Sequence, residues 1–238
     1  MTALLGIATR LRLARLLLIT DTRKEQGDLA EFVDAGFAGG ADIVQLRDPD
    51  AGPDEVLDAL RRIREVGYRY QGLVGAYESV AVAEAFQADL LHLPERGAPA
   101  ASVRPHLHQW AVIGRSCHSR AQVDAALEDP DVNYLTVGPI YGGLPSAEGG
   151  LELARYAARV ALPGDQSAKP WFAVGGITAV NLDDVIDAGA RRIAVSRAVT
   201  DADDPEAAAA ALKDRLRVAW SEDPAMQSFS LGVFRSTH

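Results

Sequence analysis

The 238-residue sequence contains a single cysteine, Cys117, which excludes a disulfide within the chain and favours the reducing cytoplasm. No apolar run is long enough to cross a membrane as a helix. The formal net charge of −9 argues against a general binder of nucleic acid or of membrane surfaces, because such proteins carry a basic excess. Three arginines interrupt the first 15 residues, so we interpret this stretch as an amphipathic lead-in and not as a secretion signal.

Short apolar runs, of the kind that form buried parallel strands, alternate along the chain with stretches of helical periodicity. The runs cover residues 16–20, 42–46, 72–75, 90–92, 112–114, 134–137, 171–174 and 193–195. No GxGxxG motif follows the first run, which disfavours an open doubly wound sheet. The pattern predicts an α/β fold, a single (β/α)₈ TIM barrel over residues 16–220, with a flexible tail over residues 221–238.

Two neighbouring strand ends carry residues suited to bind a phosphate. The run WFAV ends in Gly175 and Gly176, which have no side chain to keep a ligand away from the backbone. The next run, IAV, ends in Ser196 and Arg197 at the start of a helical stretch. Strand ends followed by helix starts form the usual phosphate site of a (β/α)₈ barrel. We therefore predict that these four residues bind phosphate.

Further candidates follow other strands, and most of them have a structural alternative. Gln45 and Arg47 end the second strand, and the planar fork of Arg47 suits a carboxylate or a phosphate; a salt bridge to Asp21 or Asp48 is the alternative. Gly138 ends the sixth strand and is a candidate for substrate binding.

The histidines and the cysteine are also assigned either a functional or a structural role. His118 follows the fifth strand, and an imidazole can both take up and release a proton, so His118 is suited to move a proton, or else only to form hydrogen bonds. His92 is expected to be a packed barrel residue, and Cys117 a small core residue. His106 and His108 are expected at the surface, since nothing near them has metal-ligand spacing.

Together, these motifs resemble those of the thiamine-phosphate synthase/TenI superfamily. The resemblance runs from residue 16 to about residue 209, through the segments LLLITD, VQLRD, ADLLHL, IGRSCHS, VNYLTVGPIY, WFAVGGIT and AGARRIAVSRAVTDADDP. It implies a (β/α)₈ barrel, commonly a homodimer, that acts in thiamine biosynthesis on a small-molecule thiazole phosphate.

Synthases of this superfamily join hydroxymethylpyrimidine diphosphate to thiazole phosphate and release pyrophosphate with Mg²⁺, and the sequence departs from their pattern at four places. Pro49 stands where QLRxK has its lysine, and Tyr77-Glu78-Ser79 replaces NDR, whose aspartate ligates Mg²⁺. Pro94-Glu95 replaces the last two residues of HLGQ, which precede a second metal aspartate, and GGLPS at 142–146 replaces TxTK, which grips the diphosphate. Glu78 is the candidate metal ligand if the chain is a synthase.

The matching residues lie on the thiazole-phosphate side, which resembles the TenI-type thiazole tautomerases. These isomerases aromatise a thiazole phosphate carboxylate by moving a proton, and this chemistry needs no metal. The resemblance therefore predicts a cofactor-free tautomerase, with His118 as the proton shuttle and Gln45 or Arg47 orienting the carboxylate. Two alternatives remain open: a synthase that uses Mg²⁺, and a non-catalytic regulator that binds thiazole phosphate.

Overall fold

The computed structural model describes residues 5–142, 149–227 and 229. Within them, eight parallel strands pair in sequence order, and β8 pairs with β1 to close the sheet. The strands are β1 (Leu16–Thr20), β2 (Ile43–Leu46), β3 (Leu73–Tyr77), β4 (Leu90–Leu93), β5 (Val112–Cys117), β6 (Tyr134–Val137), β7 (Trp171–Val174) and β8 (Ile193–Val195). This topology confirms the predicted single (β/α)₈ barrel.

Helices connect the strands and surround the sheet. They are α1 (Ile7–Leu13), α2 (Leu29–Ala38), α3 (Pro53–Gly67), α4 (Val80–Phe86), α5 (Ala100–Val103), α6 (Arg120–Glu128), α7 (Leu151–Val160), α8 (Leu182–Asp187), α9 (Arg197–Thr200) and α10 (Pro205–Glu222). The helices turn apolar faces to the sheet; α3, for example, buries Leu60, Ile63 and Val66. Burial of these faces forms the larger of the hydrophobic clusters.

The inside of the barrel changes from apolar to polar along its axis. Because side chains alternate between the two faces of a strand, each strand contributes every second residue to the interior. Nearer the amino ends of the strands, the interior side chains are apolar or aromatic: Leu17, Ile43, Leu73, Leu90, Val112, Tyr134, Phe172 and Ala194. Leu11 and Ala14 pack against them. Two residues further along the strands come polar side chains such as Gln45, His92 and Thr136, so the polar site lies at the carboxyl ends.

The chain termini pack on the barrel over the part that the structure describes. The predicted lead-in contains α1. In the predicted tail, α10 continues to Glu222, and Met226 and Phe229 are buried in a cluster with Trp220. The first residues of the expected tail are thus packed, because apolar side chains there cover Trp220. Residues 230–238 lie outside the described part of the chain. No described helix has both the length and the apolar character to cross a membrane.

Candidate functional site

A cavity of about 810 Å³ opens at the carboxyl ends of β1, β2, β7 and β8. All four predicted phosphate-binding residues line it, together with Arg47, which follows β2. The cavity is lined by two arginines, Arg47 and Arg197, and also by carboxylates at positions 21, 48, 50 and 201. Its size is that of a pocket for a small-molecule ligand.

The Gly175-Gly176 turn is held in a conformation that favours glycine. Their φ angles are +103° and +62°, in the region that residues with a side chain rarely adopt. Both carbonyl groups are occupied, since Gly175 accepts from the Tyr141 N–H at 3.0 Å and Gly176 accepts from Asn181 Nδ2 at 3.0 Å. The space that a Cβ would fill is taken by Pro139 at Gly175 and by Tyr141 at Gly176, so this turn packs closely against the segment after β6.

The second turn of the predicted phosphate site joins β8 to α9. The carbonyl oxygen of Ser196 accepts hydrogen bonds from the N–H groups of Val199 and Thr200, at 2.8 and 3.0 Å. These bonds fix the position at which Ser196 and Arg197 enter the cavity. Since β7 and β8 are neighbours in the sheet, both turns lie on the same wall.

Arg47 does not form the salt bridge that the sequence left open. Among the described residues, Arg47 forms no ion pair with Asp21 or with Asp48. Its guanidinium carbon lies 4.9 Å from the ring centre of Tyr77. Asp48 instead accepts hydrogen bonds from Thr22, at 2.6 Å from the hydroxyl and 3.1 Å from the N–H. Burial acts to raise the pKa of Asp48, but the hydrogen bonds from Thr22 and from backbone N–H groups just after Asp48 outweigh it, and the pKa is lowered. Asp48 is thus held by Thr22, which leaves the charge of Arg47 to the cavity.

A second cavity, of about 340 Å³, adjoins the first between the ends of β2 and β3. Arg47, Asp48 and Pro49 line both cavities. Two ligands, one in each cavity, would therefore lie next to each other. The remaining walls are mostly apolar and come from Leu46, Ala51, Pro53, Val56 and Val82, with Tyr77, Glu78 and Ser79 at the β3 end.

The residues around this second cavity do not fit the Mg²⁺ site of the synthase pattern. Glu78 is exposed and has a φ of +61°, and Glu95 accepts a hydrogen bond from Gln122 Nε2 at 2.5 Å. No group of three or more His, Cys, Asp or Glu residues in the described part of the chain is arranged to hold a metal. Of the two carboxylates that line the second cavity, Glu78 is exposed and Asp48 already accepts hydrogen bonds from Thr22. A hard divalent cation takes several oxygen ligands, and these two residues leave most of them to the substrate.

His118 lies between the ends of β5 and β6. Its Nδ1 is 2.5 Å from the carbonyl oxygen of Gly138, and because a carbonyl only accepts, Nδ1 carries the proton. Its Nε2 lies 4.0 Å from the carboxylate of Glu95, and its backbone N–H donates to Gln122 at 2.6 Å. Arg115 holds the Glu95 loop by donating to the carbonyl oxygens of Pro94 and Ala98. His118, Gly138 and Gln45 are not among the residues that line the larger cavity.

His92 is the packed barrel residue that the sequence predicts. Its ring is 2% exposed, and its nitrogens lie 3.1 Å from the Tyr134 hydroxyl, 2.9 Å from Ser116 Oγ and 3.2 Å from Thr136 Oγ1. Gln45, also in the barrel interior, is 3% exposed. Sequence reasoning missed Ser116, Thr136 and Tyr134, although counting every second residue back from His118 and from Gly138 would have found them.

The remaining sequence candidates are placed as core or surface. Cys117 is buried, and burial raises its pKa to about 12, which fits a core residue and not a nucleophile. His106 is half exposed, and His108 is bound to the carbonyl oxygen of Ala88 at 3.0 Å. Most of the loop that replaces TxTK, residues 143–148, lies outside the described residues.

The closed sheet, with its cavity at the carboxyl ends of the strands, defines the class of single-domain (β/α)₈ barrels. The chain belongs to the thiamine monophosphate synthase (TMP-TENI) family, whose model matches residues 16–199. This match confirms the superfamily that the sequence motifs indicated.

Individual relatives agree with this assignment. A thiamine-phosphate synthase from Saccharopolyspora erythraea is 44% identical over 220 residues, which cover 89% of this chain and 96% of the relative. One from Mycobacterium bovis is 45% identical over 224 residues, covering 89% and 98%. Among solved structures, a thiamine phosphate pyrophosphorylase from Pyrococcus furiosus superposes with a TM-score of 0.76 at 26% identity, over 90% of this chain and 99% of that chain.

These relatives overturn one expectation from the sequence. The prediction of a thiazole tautomerase, an isomerase, is wrong, because relatives 44–45% identical over most of the chain are named thiamine-phosphate synthases, which are transferases. The prediction relied on four departures from the synthase pattern, all local to one side of the site. The similarity of the whole chain favours the synthase alternative.

Proposed function

We propose that the chain is a thiamine-phosphate synthase, a transferase that joins hydroxymethylpyrimidine diphosphate to thiazole phosphate and releases pyrophosphate. The observation that carries this proposal is the pair of adjoining cavities, which have room for two substrates: Gly175, Gly176, Ser196 and Arg197 line the larger one, and Arg47 lines both. The names of the relatives support the same reaction.

In this proposal, the chain acts by binding and by orientation. The two turns after β7 and β8 hold the phosphate of the thiazole, which directs the thiazole nitrogen towards the second cavity. That nitrogen donates its lone pair to the methylene carbon of the pyrimidine. The bond from this carbon to the diphosphate oxygen breaks, and its electron pair leaves with pyrophosphate. Gln45, which is buried in the barrel interior two residues before Arg47, is proposed to contact the substrate.

The proton-shuttle role expected of His118 belongs to the tautomerase reaction. The transferase reaction moves no proton between two carbons of one ligand, so we propose a different role here. His118 donates to the Gly138 carbonyl at 2.5 Å and thereby positions the end of β6, where Gly138 was predicted to contact the substrate. In this role His118 is a positioning residue.

A second candidate function is the binding of thiazole phosphate without transfer. The observation that favours it is the lack of fit to Mg²⁺ around Glu78, because departure of a diphosphate develops negative charge that a cation must meet. A regulator that senses thiazole phosphate needs only the phosphate-binding turns. The two candidates therefore share the larger cavity and differ in the second one.

The test is to mix thiazole phosphate with hydroxymethylpyrimidine diphosphate and to measure pyrophosphate and thiamine phosphate. Equal amounts of both products support the transferase, and thiazole phosphate binding without product supports the regulator. Substitution of Arg197 by alanine is expected to weaken thiazole phosphate binding at least about tenfold, as for loss of a charge-assisted contact. Arg217→Ala, on exposed α10, is the control and should bind as the wild type does. Absence of binding in the wild-type protein contradicts both candidates.

We also propose that the protein is cytoplasmic and dimeric. A single buried thiol suits a reducing compartment, and homodimers are the commonest assemblies of such enzymes. Sedimentation equilibrium tests the assembly, with a mass near twice 25.4 kDa expected.

A further inference from the structure

Arg47 occupies the junction between the two cavities and is the cation that both cavities share. Within the described residues, the larger cavity also has Arg197, whereas the second cavity has no other lysine or arginine in its lining. Arg47 is therefore the main positive charge available to any anion that binds in the second cavity.

The guanidinium of Arg47 is backed by an aromatic ring and not by a carboxylate. Its central carbon lies 4.9 Å from the ring centre of Tyr77, a distance at which the ring face attracts a cation. Burial raises the pKa of the Tyr77 hydroxyl, so the phenol stays neutral at physiological pH and adds no charge beside Arg47. A neutral platform positions the guanidinium without neutralising it, so that the fork remains available for an anion.

Tyr77 stands at a position where the synthase pattern carries the asparagine of NDR, and the residues near it do not supply a metal site. Of the two carboxylates that line the second cavity, Glu78 is exposed and Asp48 already accepts hydrogen bonds from Thr22. The second cavity thus offers a metal one exposed carboxylate, and its arginine has no carboxylate partner among the described residues. It suits an anion that arrives without a divalent cation.

We propose that the transfer reaction of this chain does not require Mg²⁺, and that the guanidinium of Arg47, positioned by the ring of Tyr77, meets the negative charge of the departing diphosphate instead. This inference rests on the proposed transferase function. The bonds made and broken are those given above: the new carbon–nitrogen bond forms as the carbon–oxygen bond breaks, and the electron pair leaves with pyrophosphate, whose added charge the guanidinium fork meets through parallel N–H donors.

The first experiment compares initial rates of transfer in excess EDTA and in millimolar Mg²⁺. The two rates should agree within about twofold, whereas a metal that stabilises the leaving charge would be worth far more than that. Arg47→Ala should lower the rate about 10²-fold or more, as for the loss of one preorganised donor. Arg61→Ala is the matched control, because Arg61 lies exposed on α3 and pairs with Asp58. A rate more than tenfold higher with Mg²⁺, or an unchanged rate for Arg47→Ala, overturns the inference.

The role of Tyr77 is tested by comparing the KM values for the two substrates. Tyr77→Ala should raise the KM for the diphosphate substrate and leave the KM for thiazole phosphate unchanged, because Tyr77 lines only the second of the two cavities. Tyr77→Phe keeps the ring and should restore the wild-type value. Equal effects of Tyr77→Ala on both KM values would indicate a merely structural role and contradict the positioning role.

A binding measurement keeps the inference falsifiable if transfer is absent. Inorganic pyrophosphate, titrated by calorimetry in EDTA, should bind the wild-type protein and should bind Arg47→Ala at least about tenfold more weakly. Binding that appears only with Mg²⁺, or that is equal in the two proteins, overturns the inference. No transfer with or without Mg²⁺ contradicts the proposed function, and the pyrophosphate titration still decides the role of Arg47.

Discussion

The imidazole of His92 and the hydroxyl of Tyr134 form a hydrogen bond of 3.1 Å inside the barrel. Gly114, which faces them from β5, has no side chain, and an added Cβ there would overlap both rings. Burial lowers the pKa of His92 to about 3, and the charges of Arg115 and Arg47 act in the same direction. The imidazole is therefore neutral in the folded protein at any physiological pH.

This neutral histidine predicts a pH dependence of stability. The unfolded chain takes up a proton on His92 near pH 6.5, and the folded protein does so only near pH 3. Between these values the unfolded state binds more protons, so the free energy of unfolding falls as the pH is lowered, by up to about 1.4 kcal/mol per pH unit from this group. Urea unfolding at pH 7, 6, 5 and 4 measures the slope.

His92→Gln provides the control for that measurement. The variant should be less stable at pH 7, because it loses buried hydrogen bonds worth about 1 kcal/mol each, but its stability should depend less steeply on pH. Equal slopes in the two proteins would show that His92 is not the group responsible.

The close packing around Gly138 predicts that the end of β6 does not tolerate a side chain. An added Cβ would overlap the carbonyl oxygen of Val174 on β7, so the two strands would have to separate. We expect Gly138→Ala to lower the free energy of unfolding by about 1–3 kcal/mol. Gly52→Ala is the matched control, since nothing lies within 4 Å of a Cβ there, and the expected cost is below about 1 kcal/mol, as for alanine in place of glycine at a helix N-cap. Similar melting temperatures for the two variants would contradict the predicted crowding.

Cys117 is expected to resist alkylation in the folded protein. Its thiol is buried, and because burial raises its pKa to about 12, almost none of it is the reactive thiolate at pH 8. Mass spectrometry after iodoacetamide treatment should find no adduct in native buffer and one adduct in urea. An adduct formed at similar rates in both conditions would contradict the buried placement.

Phe229 tests whether the residues after α10 contribute to stability. Its ring is 2% exposed and lies 6.0 Å from the ring of Trp220, in an edge-to-face arrangement. Phe229→Ala should lower the free energy of unfolding by about 3 kcal/mol, as for other buried phenylalanines. Gln227→Ala, at an exposed position, should change it little. If the two variants unfold at the same denaturant concentration, Phe229 does not pack as described.

Much of the fold could be predicted from the sequence, because buried strands and amphipathic helices each leave a local pattern. The bounds of β1, β6 and β8 were predicted without error, and β5 was predicted three residues short. The missing residues, Arg115 to Cys117, are polar or small, so they do not extend an apolar run. They carry Ser116 and Arg115, which is why the interior hydrogen bonds of His92 and the anchoring of the Glu95 loop escaped prediction.

The choice between a tautomerase and a synthase shows a different limit of prediction from sequence. Four local departures, among them Pro49 and Tyr77, indicated that diphosphate chemistry was lost, and the comparison of the whole chain favours a synthase. A missing motif reports the loss of particular groups. It does not report whether a neighbouring group, such as Arg47, is left free to replace them.

The sequence by itself determined the closed barrel, its strand order and the two turns that carry Gly175 and Ser196, since these depend on patterns within a few residues. Only the tertiary structure decided that Arg47 lies over Tyr77 instead of pairing with Asp21 or Asp48, and that Phe229 is buried against Trp220. The physical reason is that such contacts join residues far apart in the chain, and competition among several possible partners is resolved only when the barrel closes.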